Sequence, residues 1–357
     1  MSNPVGIAMI GSGRVAQRQH LPSYQKLQAE GKVKIVAVCD INEETARAAA
    51  SEFNIPHAFT DWNEMLRMTE IDAVDVCTPN YLHKQPVLDA FAAGKHVLVE
   101  KPIAINAAEG AEMVAAAKAA GKQLQVGLNL RFGAAQQSIH RFIQDGKLGD
   151  IYYTRVHALR RRGIPSWGVF TQKDKQGGGP LIDIGVHMLD LALWFMGHPK
   201  PVSVSGATYA KFGHRSDILG LMGQWDPKTF SVEDFAVGFV RFENGATLTL
   251  ESSFAANLEQ NEMNIHLFGT EGGGLLDIYN AKGNKIFREE SGTLTDTTLA
   301  YLTDALTHEQ EIRSFVQAIA DETPVLATGE QGLMVTQILD ALYQSADTGR
   351  EIILARS

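Results

Sequence analysis

The chain has 357 residues, of which 45% are apolar and 20% charged, and its formal net charge is -9. A length beyond the usual single hydrophobic core predicts two domains, and the acidic balance argues against nucleic acid or an anionic membrane surface as a partner. No apolar run reaches the roughly 18 residues needed to span a bilayer, Met1-Ser2-Asn3-Pro4 lacks the basic stretch of a secretion signal, and the only cysteines, Cys39 and Cys77, fall on separated strands, as fits a reducing cytosol.

From the start to residue 128, short β-branched runs alternate with helical patterns. Strands are expected over 5–10, 33–40, 73–78, 96–100 and 123–128, with helices over 42–53, 82–93 and 107–120. Two of these helices run into Gly94 and Gly121, the residue type that a left-handed helix stop prefers. Apolar strands alternating with helices imply a doubly wound parallel sheet of the Rossmann type. The first strand delivers Gly11-Ser12-Gly13-Arg14-Val15-Ala16, a G-x-G-x-x-A loop. Gly11 permits the tight turn, Gly13 lets the backbone approach a pyrophosphate, and Ala16 allows close helix–strand contact. The amides and positive dipole end of the next helix face that anion. The second strand ends in Asp40, whose carboxylate suits the adenosine ribose hydroxyls and repels a 2′-phosphate. Ile41 and Asn42 supply no cation for such a phosphate, so the cofactor expected is NAD rather than NADP. A plainer role for Asp40, capping the helix near Asn42, is compatible with this.

Two more strand ends carry unusual polar sequences. Thr78-Pro79-Asn80-Tyr81-Leu82-His83 follows the third of these strands, and Glu100-Lys101-Pro102 follows the fourth. Ligands of an open α/β sheet lie beyond the carboxyl ends of the strands, so both segments belong beside a nicotinamide. Pro102 disfavours a helical Lys101. A lysine paired with Glu100 at a solvated strand end is the structural alternative.

Past residue 128 the pattern changes. Helices are expected over 136–145, 180–195, 312–320 and 333–346, and strands over 151–158, 202–208, 236–242, 246–252 and 264–268, with a hairpin signal at Glu243-Asn244-Gly245. A second domain over 129–357 follows, an α/β unit with an open, mostly antiparallel sheet. The helix opening at Pro180 is apolar almost all the way round except for Asp183, His187 and Asp190 on one stripe. Burying such groups unpaired costs several kcal/mol. Bordering a cleft, Asp183 and His187 make an orienting carboxylate and a base that titrates near neutral pH, with Asp190 a structural hydrogen-bonding group. Before that helix, Arg160-Arg161-Arg162 and Trp167 lie on a Gly/Pro loop. Arg160 and Trp167 suit a polyhydroxylated ligand, by paired hydrogen bonds and by stacking on apolar ring hydrogens. The arginines equally suit acidic residues across a subunit contact. Asn129 and Arg131 sit at the domain join, within reach of a cleft. No clustered Cys/His pattern or other metal box appears, so no metal is expected.

In order and spacing these motifs resemble the Gfo/Idh/MocA family, the glucose–fructose oxidoreductase and inositol dehydrogenase relatives. The match runs from Gly11–Ala16 through Asp40, Thr78–His83 and Glu100–Pro102 to G-x-N-x-R-F at Gly127–Phe132 and G-G-G-x-L-x-D-x-G-x-H at Gly177–His187. The resemblance implies that His187 accepts a proton, that Asp183 orients it, and that Lys101 donates to the reacting oxygen. It further implies a cofactor surface made of Gly11, Ser12, Gly13, Arg14, Val15, Ala16, Asp40, Thr78, Pro79, Asn80, His83, Glu100 and Lys101. A substrate surface would join Lys101, Asn129, Arg131, Arg160, Trp167, Asp183 and His187. The expected activity is NAD-dependent oxidation of a hydroxyl on a cyclic polyol or sugar, an inositol or an aldopyranose. A redox-neutral NAD-dependent glycosidase and a non-catalytic cofactor-sensing regulator are the rivals, and the intact Lys–Asp–His set speaks against the second. An open sheet with one uncovered face, together with the resemblance, implies a homodimer or homotetramer.

Overall fold

The computed structural model describes residues 4–300, 302 and 306–354, so the amino-terminal residues 1–3 read above lie outside the described residues. Two compact units result, one made of residues 1–132 with 305–336 and the other of 133–304 with 337–357.

The first unit alternates strand and helix. In chain order it runs β1 (Val5–Ile10), α1 (Leu21–Ala29), β2 (Val33–Cys39), α2 (Glu43–Glu52), β3 (His57–Phe59), α3 (Trp62–Leu66), β4 (Ala73–Val76), α4 (Lys84–Ala92), β5 (His96–Glu100), α5 (Ala107–Ala120) and β6 (Leu124–Gly127). The strands are all parallel in the order β3-β2-β1-β4-β5-β6, the doubly wound arrangement that leaves a ligand crevice beside β1 where the order reverses. With helices on both faces, β1 and β4 are buried along their whole length, which is why they read as apolar runs without alternation. Side chains at helix ends match the expected signals. The Asn106 side chain accepts the Glu109 amide at 2.9 Å to open α5, and Gly121 closes it at φ +62°. The flanking strands of β1 carry Cys39 and lead to Cys77, and both thiols are free.

Two helices near the end of the chain follow, α9 (Thr307–Ala320) and α10 (Gly329–Thr348). Ile312, Phe315 and Val316 of α9 bury into the same core as Ile7, Leu21 and Tyr24, so α9 belongs to the first unit. A single cut after residue 128 does not include this return. The apolar stripe of α9 is plain in the sequence, but its partner is chosen by shape. Helix α10 starts in the first unit, where a Cβ on Gly329 or Gly332 would come within 2.6 Å of Leu124 or Val126 of β6.

The second unit holds α6 (Ala134–Gln144), β7 (Ile151–Leu159), α7 (Lys173–Gln176), α8 (Val186–Phe195), β8 (Pro201–Tyr209), β9 (Phe235–Phe242), β10 (Thr247–Ser253), β11 (Glu262–Gly269), β12 (Gly273–Asp277), β13 (Lys285–Glu290), β14 (Thr293–Thr298) and β15 (Ile352–Ile353). These strands form one sheet in the order β14-β13-β12-β11-β7-β10-β9-β8-β15. Only the β7–β10 pairing is parallel. One face is buried, through residues such as Val240, Leu250 and Ile265, and α8 packs there on β7 and β11. The end of α10 packs on the same sheet, with Leu342 placed where a Cβ on Gly206 or Gly238 would intrude to 2.6 or 2.3 Å. The other face keeps Tyr153, Val237 and Phe239 half-buried and Phe268 exposed. Strands β12 to β14 were not anticipated, because a largely exposed strand such as β14 carries no apolar alternation to read. Among the described residues, no helix is long and apolar enough to cross a membrane.

Candidate active site

The first unit carries the glycine loop and the polar strand ends. Gly11 stands at φ +87°, and a Cβ there would meet the Cys77 carbonyl oxygen at 2.7 Å, so only glycine makes this turn. Gly13 has nothing within 4 Å of the place a Cβ would take. Open space against a bare backbone, in front of a helix start, is what a pyrophosphate requires. Ala16 is fully buried between strand and helix, while Arg14 and Val15 are exposed. The helix after the loop starts with a π turn, Ala16–His20, before α1.

Asp40 turns back toward the loop. One carboxylate oxygen accepts the Ser12 amide at 2.9 Å and the Ser12 hydroxyl at 3.1 Å, and the other accepts the Asn42 amide at 3.0 Å. The cap of α2 is Asn42, which accepts the Thr45 amide at 3.0 Å, so capping is not the task of Asp40. Its half-exposed carboxylate retains lone pairs for ribose hydroxyls. Nearby, Ile41 is 91% exposed, and Arg47 is held by Glu43 through contacts of 2.6 and 2.9 Å.

At the end of β4, Thr78 and Pro79 are accessible and Asn80 is nearly buried. His83 lies completely buried, with Nδ1 on the Pro102 carbonyl and Nε2 on the Thr78 carbonyl, each at 2.9 Å. It ties the two strand-end segments together, and burial pushes its pKa below the ordinary histidine value despite those carbonyls. The Lys101–Pro102 peptide is cis, and the Lys101 amide donates to the Glu100 carboxylate at 3.1 Å. The other Glu100 oxygen faces Nε2 of buried His20 at 2.9 Å. Asn129 donates to the Thr307 hydroxyl at 2.8 Å. Arg131 is fully buried and gives hydrogen bonds to the Leu326 carbonyl and Gln331 at 3.0 and 2.5 Å, bracing the approach to α10 from the interior of the first unit.

The second unit carries the helix that holds Asp183 and His187. Residues 180–195 are buried throughout except His187. Asp183 lies on a π turn, Leu181–Gly185, that runs into α8, where His187 is the second residue. Such turns recur at functional positions because they re-aim side chains within a helix. The glycines ahead of it answer to crowding. A Cβ on Gly178 would meet the Tyr343 hydroxyl at 1.9 Å, and one on Gly179 the Glu233 carbonyl oxygen at 2.2 Å. Buried Glu233 receives the Gly179 amide at 3.0 Å, the Leu181 amide at 3.2 Å and the Tyr343 hydroxyl at 2.8 Å, so a carboxylate caps the helix start. Burial raises its pKa, against the pull of those donors. Asp183 also faces the Arg160 guanidinium at 3.6 Å, and that guanidinium stacks over Phe254 at 5.7 Å. Arg161 and Arg162 instead stitch the 256–261 segment through the Glu259 and Ala256 carbonyls, each at 2.8 Å. Trp167 is 40% exposed on its loop.

His20, Asp75, Glu233 and Tyr343 escaped the sequence reading. Asp75 was findable, because a carboxylate inside the four-residue strand β4 demands a buried partner. Glu233 was not, since its donors lie over fifty residues away in the chain.

Comparison with known proteins places the chain in a family. Residues 5–128 match the oxidoreductase family with an NAD-binding Rossmann fold, and residues 141–354 match the C-terminal α/β domain of that family. The chain belongs to the Gfo/Idh/MocA oxidoreductases, and its cofactor is NAD. A D-glucoside 3-dehydrogenase of Escherichia coli is 38% identical over 99% of this chain and 98% of its own length. A myo-inositol 2-dehydrogenase of Thermotoga maritima is 23% identical, covering 98% of each. A levoglucosan dehydrogenase solved in complex with NADH and L-sorbose shares the fold at a TM-score of 0.87, with 22% identity over 99% of this chain and 100% of that one.

Proposed function

We propose that the chain is an NAD-dependent dehydrogenase of a cyclic sugar, oxidising a ring hydroxyl, with a D-glucoside as the first substrate class and its 3-hydroxyl as the first position. The observation that carries this reading is His187, the one accessible residue of an otherwise buried helix, with a carboxylate, Asp183, one turn earlier and Arg160 beside it. The 38% likeness to a D-glucoside 3-dehydrogenase supports the substrate class. His187 takes the hydroxyl proton, and Asp183 holds the imidazole in the accepting tautomer. The Lys101 ammonium stabilises negative charge on the reacting oxygen. NAD, when bound, supplies the hydride acceptor. Arg160 and Trp167 bear on the sugar hydroxyls and ring face. NAD is preferred over NADP on the strength of Asp40, with neither Ile41 nor Asn42 after it supplying a cation. The domains of this proposal are a cofactor domain over 1–128, joined by the returning α9, and a substrate and assembly domain over the rest of 129–357, the latter forming a homodimer or homotetramer in the cytoplasm.

The test is direct. Purified protein is mixed with NAD and methyl glucosides, free aldopyranoses, anhydrosugars and inositols, and NADH formation is followed by absorbance. NADH appearing with at least one glucoside is the expected result. Glycoside cleavage without net NADH formation would establish the redox-neutral alternative, and cofactor binding without turnover of any sugar would establish the regulator.

A further inference from the structure

Beneath the Lys101 segment lies a cluster that the proposed reaction does not use. His20, fully buried at the end of the first π turn, directs Nδ1 to Asp75 at 2.8 Å and Nε2 to Glu100 at 2.9 Å. Two N···O contacts of this length need two protons, held either as an imidazolium between two carboxylates or as a neutral ring beside one carboxylic acid. Burial is the largest single influence and opposes charge on the ring, but the charge and hydrogen bond of Asp75 together with Cys77 outweigh it and keep the His20 pKa well above the ordinary histidine value. Burial also opposes charge on Glu100, and the His20 hydrogen bond together with the charges of His20, His308 and Lys101 outweighs that, holding its pKa down to about 2. Both directions favour the charge-separated form. Facing the cluster are Tyr24 from α1, Cys77 beyond β4, and His308 and Glu311 from α9, with the His308 ring 5.7 Å from that of His20. Burial drives the Cys77 thiol far up, so it stays neutral. The same atoms are close enough together to suggest a cation site, yet each ring nitrogen already has its own carboxylate at hydrogen-bond distance.

We propose that His20 is a positioning residue for Lys101: a buried imidazolium that clamps Glu100 so that its second carboxylate oxygen holds the Lys101 amide. The path is Asp75, His20, Glu100, then the Lys101 backbone, and each link is a contact of 2.8 to 3.1 Å. An ammonium on a long flexible stem acts reproducibly only if its backbone origin is fixed, and misplacement of about 1 Å can cost ~100-fold in rate. The inference rests on the reading that Lys101 acts on the substrate.

Two measurements test it, and the first needs no substrate. In apoprotein with 15N-labelled histidine at about pH 8, where an ordinary histidine is neutral, one ring should show both nitrogens protonated, and that signal should be missing from His20→Gln. A spectrum with every ring neutral would overturn the clamp, as would a stoichiometric metal ion found in the purified protein. The second is a mutant cycle. His20→Gln should lower kcat at least ~10-fold while the NADH Kd from fluorescence titration moves less than ~3-fold, and it should add no further loss in a Lys101→Ala background. Wild-type kcat in His20→Gln, or a loss that multiplies with that of Lys101→Ala, would refute the positioning role. Should His20→Gln not fold, Glu100→Gln is the second variant, with the same expected loss and the same non-additivity. Undiminished turnover in Lys101→Ala alone would sink the proposed mechanism instead, leaving the labelled-histidine spectrum to judge the clamp.

Discussion

At the scale of single residues, burial separates the group proposed to react from those proposed to support it. His187 is half-buried where its neighbours are closed, whereas His20 and His83 are buried with both ring nitrogens engaged. Replacement of Lys101 or His187 by Ala should each lower kcat at least ~100-fold, the size of a general acid–base or oxyanion contribution, with NADH affinity little changed. Near-wild-type turnover in either variant would remove that residue from the mechanism. Cofactor choice is also a residue-scale matter. Asp40→Ser combined with Ile41→Arg relieves the repulsion and adds a phosphate partner at an exposed position, so the kcat/KM ratio should move toward NADP. Parallel assays with the two cofactors check this, and a wild-type preference for NADP would defeat the argument.

At the scale of elements, the phosphate loop divides its duties between two glycines with different physics. Gly11 is required by backbone conformation and by the Cys77 carbonyl at 2.7 Å, while Gly13 has room to spare. Gly11→Ala should therefore destabilise the fold by about 1–3 kcal/mol, the usual cost of a strained backbone residue, and lower the melting temperature. Gly13→Ala should leave the melting temperature of the apoprotein within about 2 °C of wild type, since an ordinary surface change is worth only a few tenths of a kcal/mol. It should nevertheless weaken NADH binding, because the methyl group occupies the space a pyrophosphate needs. Equal loss of stability in both variants would show that the two positions are not distinguished in this way.

At the scale of the whole molecule, the sheet of the second unit has a face whose described side chains are half-buried or exposed. Strand β9 shows why the surface is neither core nor ordinary exterior: Val237 and Phe239 are half-buried, and the Arg241 guanidinium lies over the Phe239 ring at 4.9 Å. We expect light scattering at micromolar concentration to return a multiple of the single-chain 38.9 kDa. Val237→Glu with Phe239→Glu should lower that mass, because two carboxylates introduced into an apolar contact are expensive to desolvate. A wild-type mass of one chain would end this expectation.

How much of this was legible beforehand follows the range of the interactions. Local patterns determined the alternation of strands and helices, the phosphate loop, the acidic end of β2, the glycine stop of α5 and the polar stripe of Asp183 and His187 at the start of α8. Each depends on residues within a turn or a strand of one another, so spacing alone carries the information. Contacts between distant residues did not announce themselves. That α9 packs against β1 and α1, that Glu233 caps the helix start some fifty residues before it, and that Asp75 and Glu100 meet on His20 were decided by the tertiary structure. A buried carboxylate such as Asp75 says in the sequence that a partner must exist, because leaving it unpaired is too costly. Which partner it finds depends on strand order and helix placement, and these emerge only when the whole chain packs.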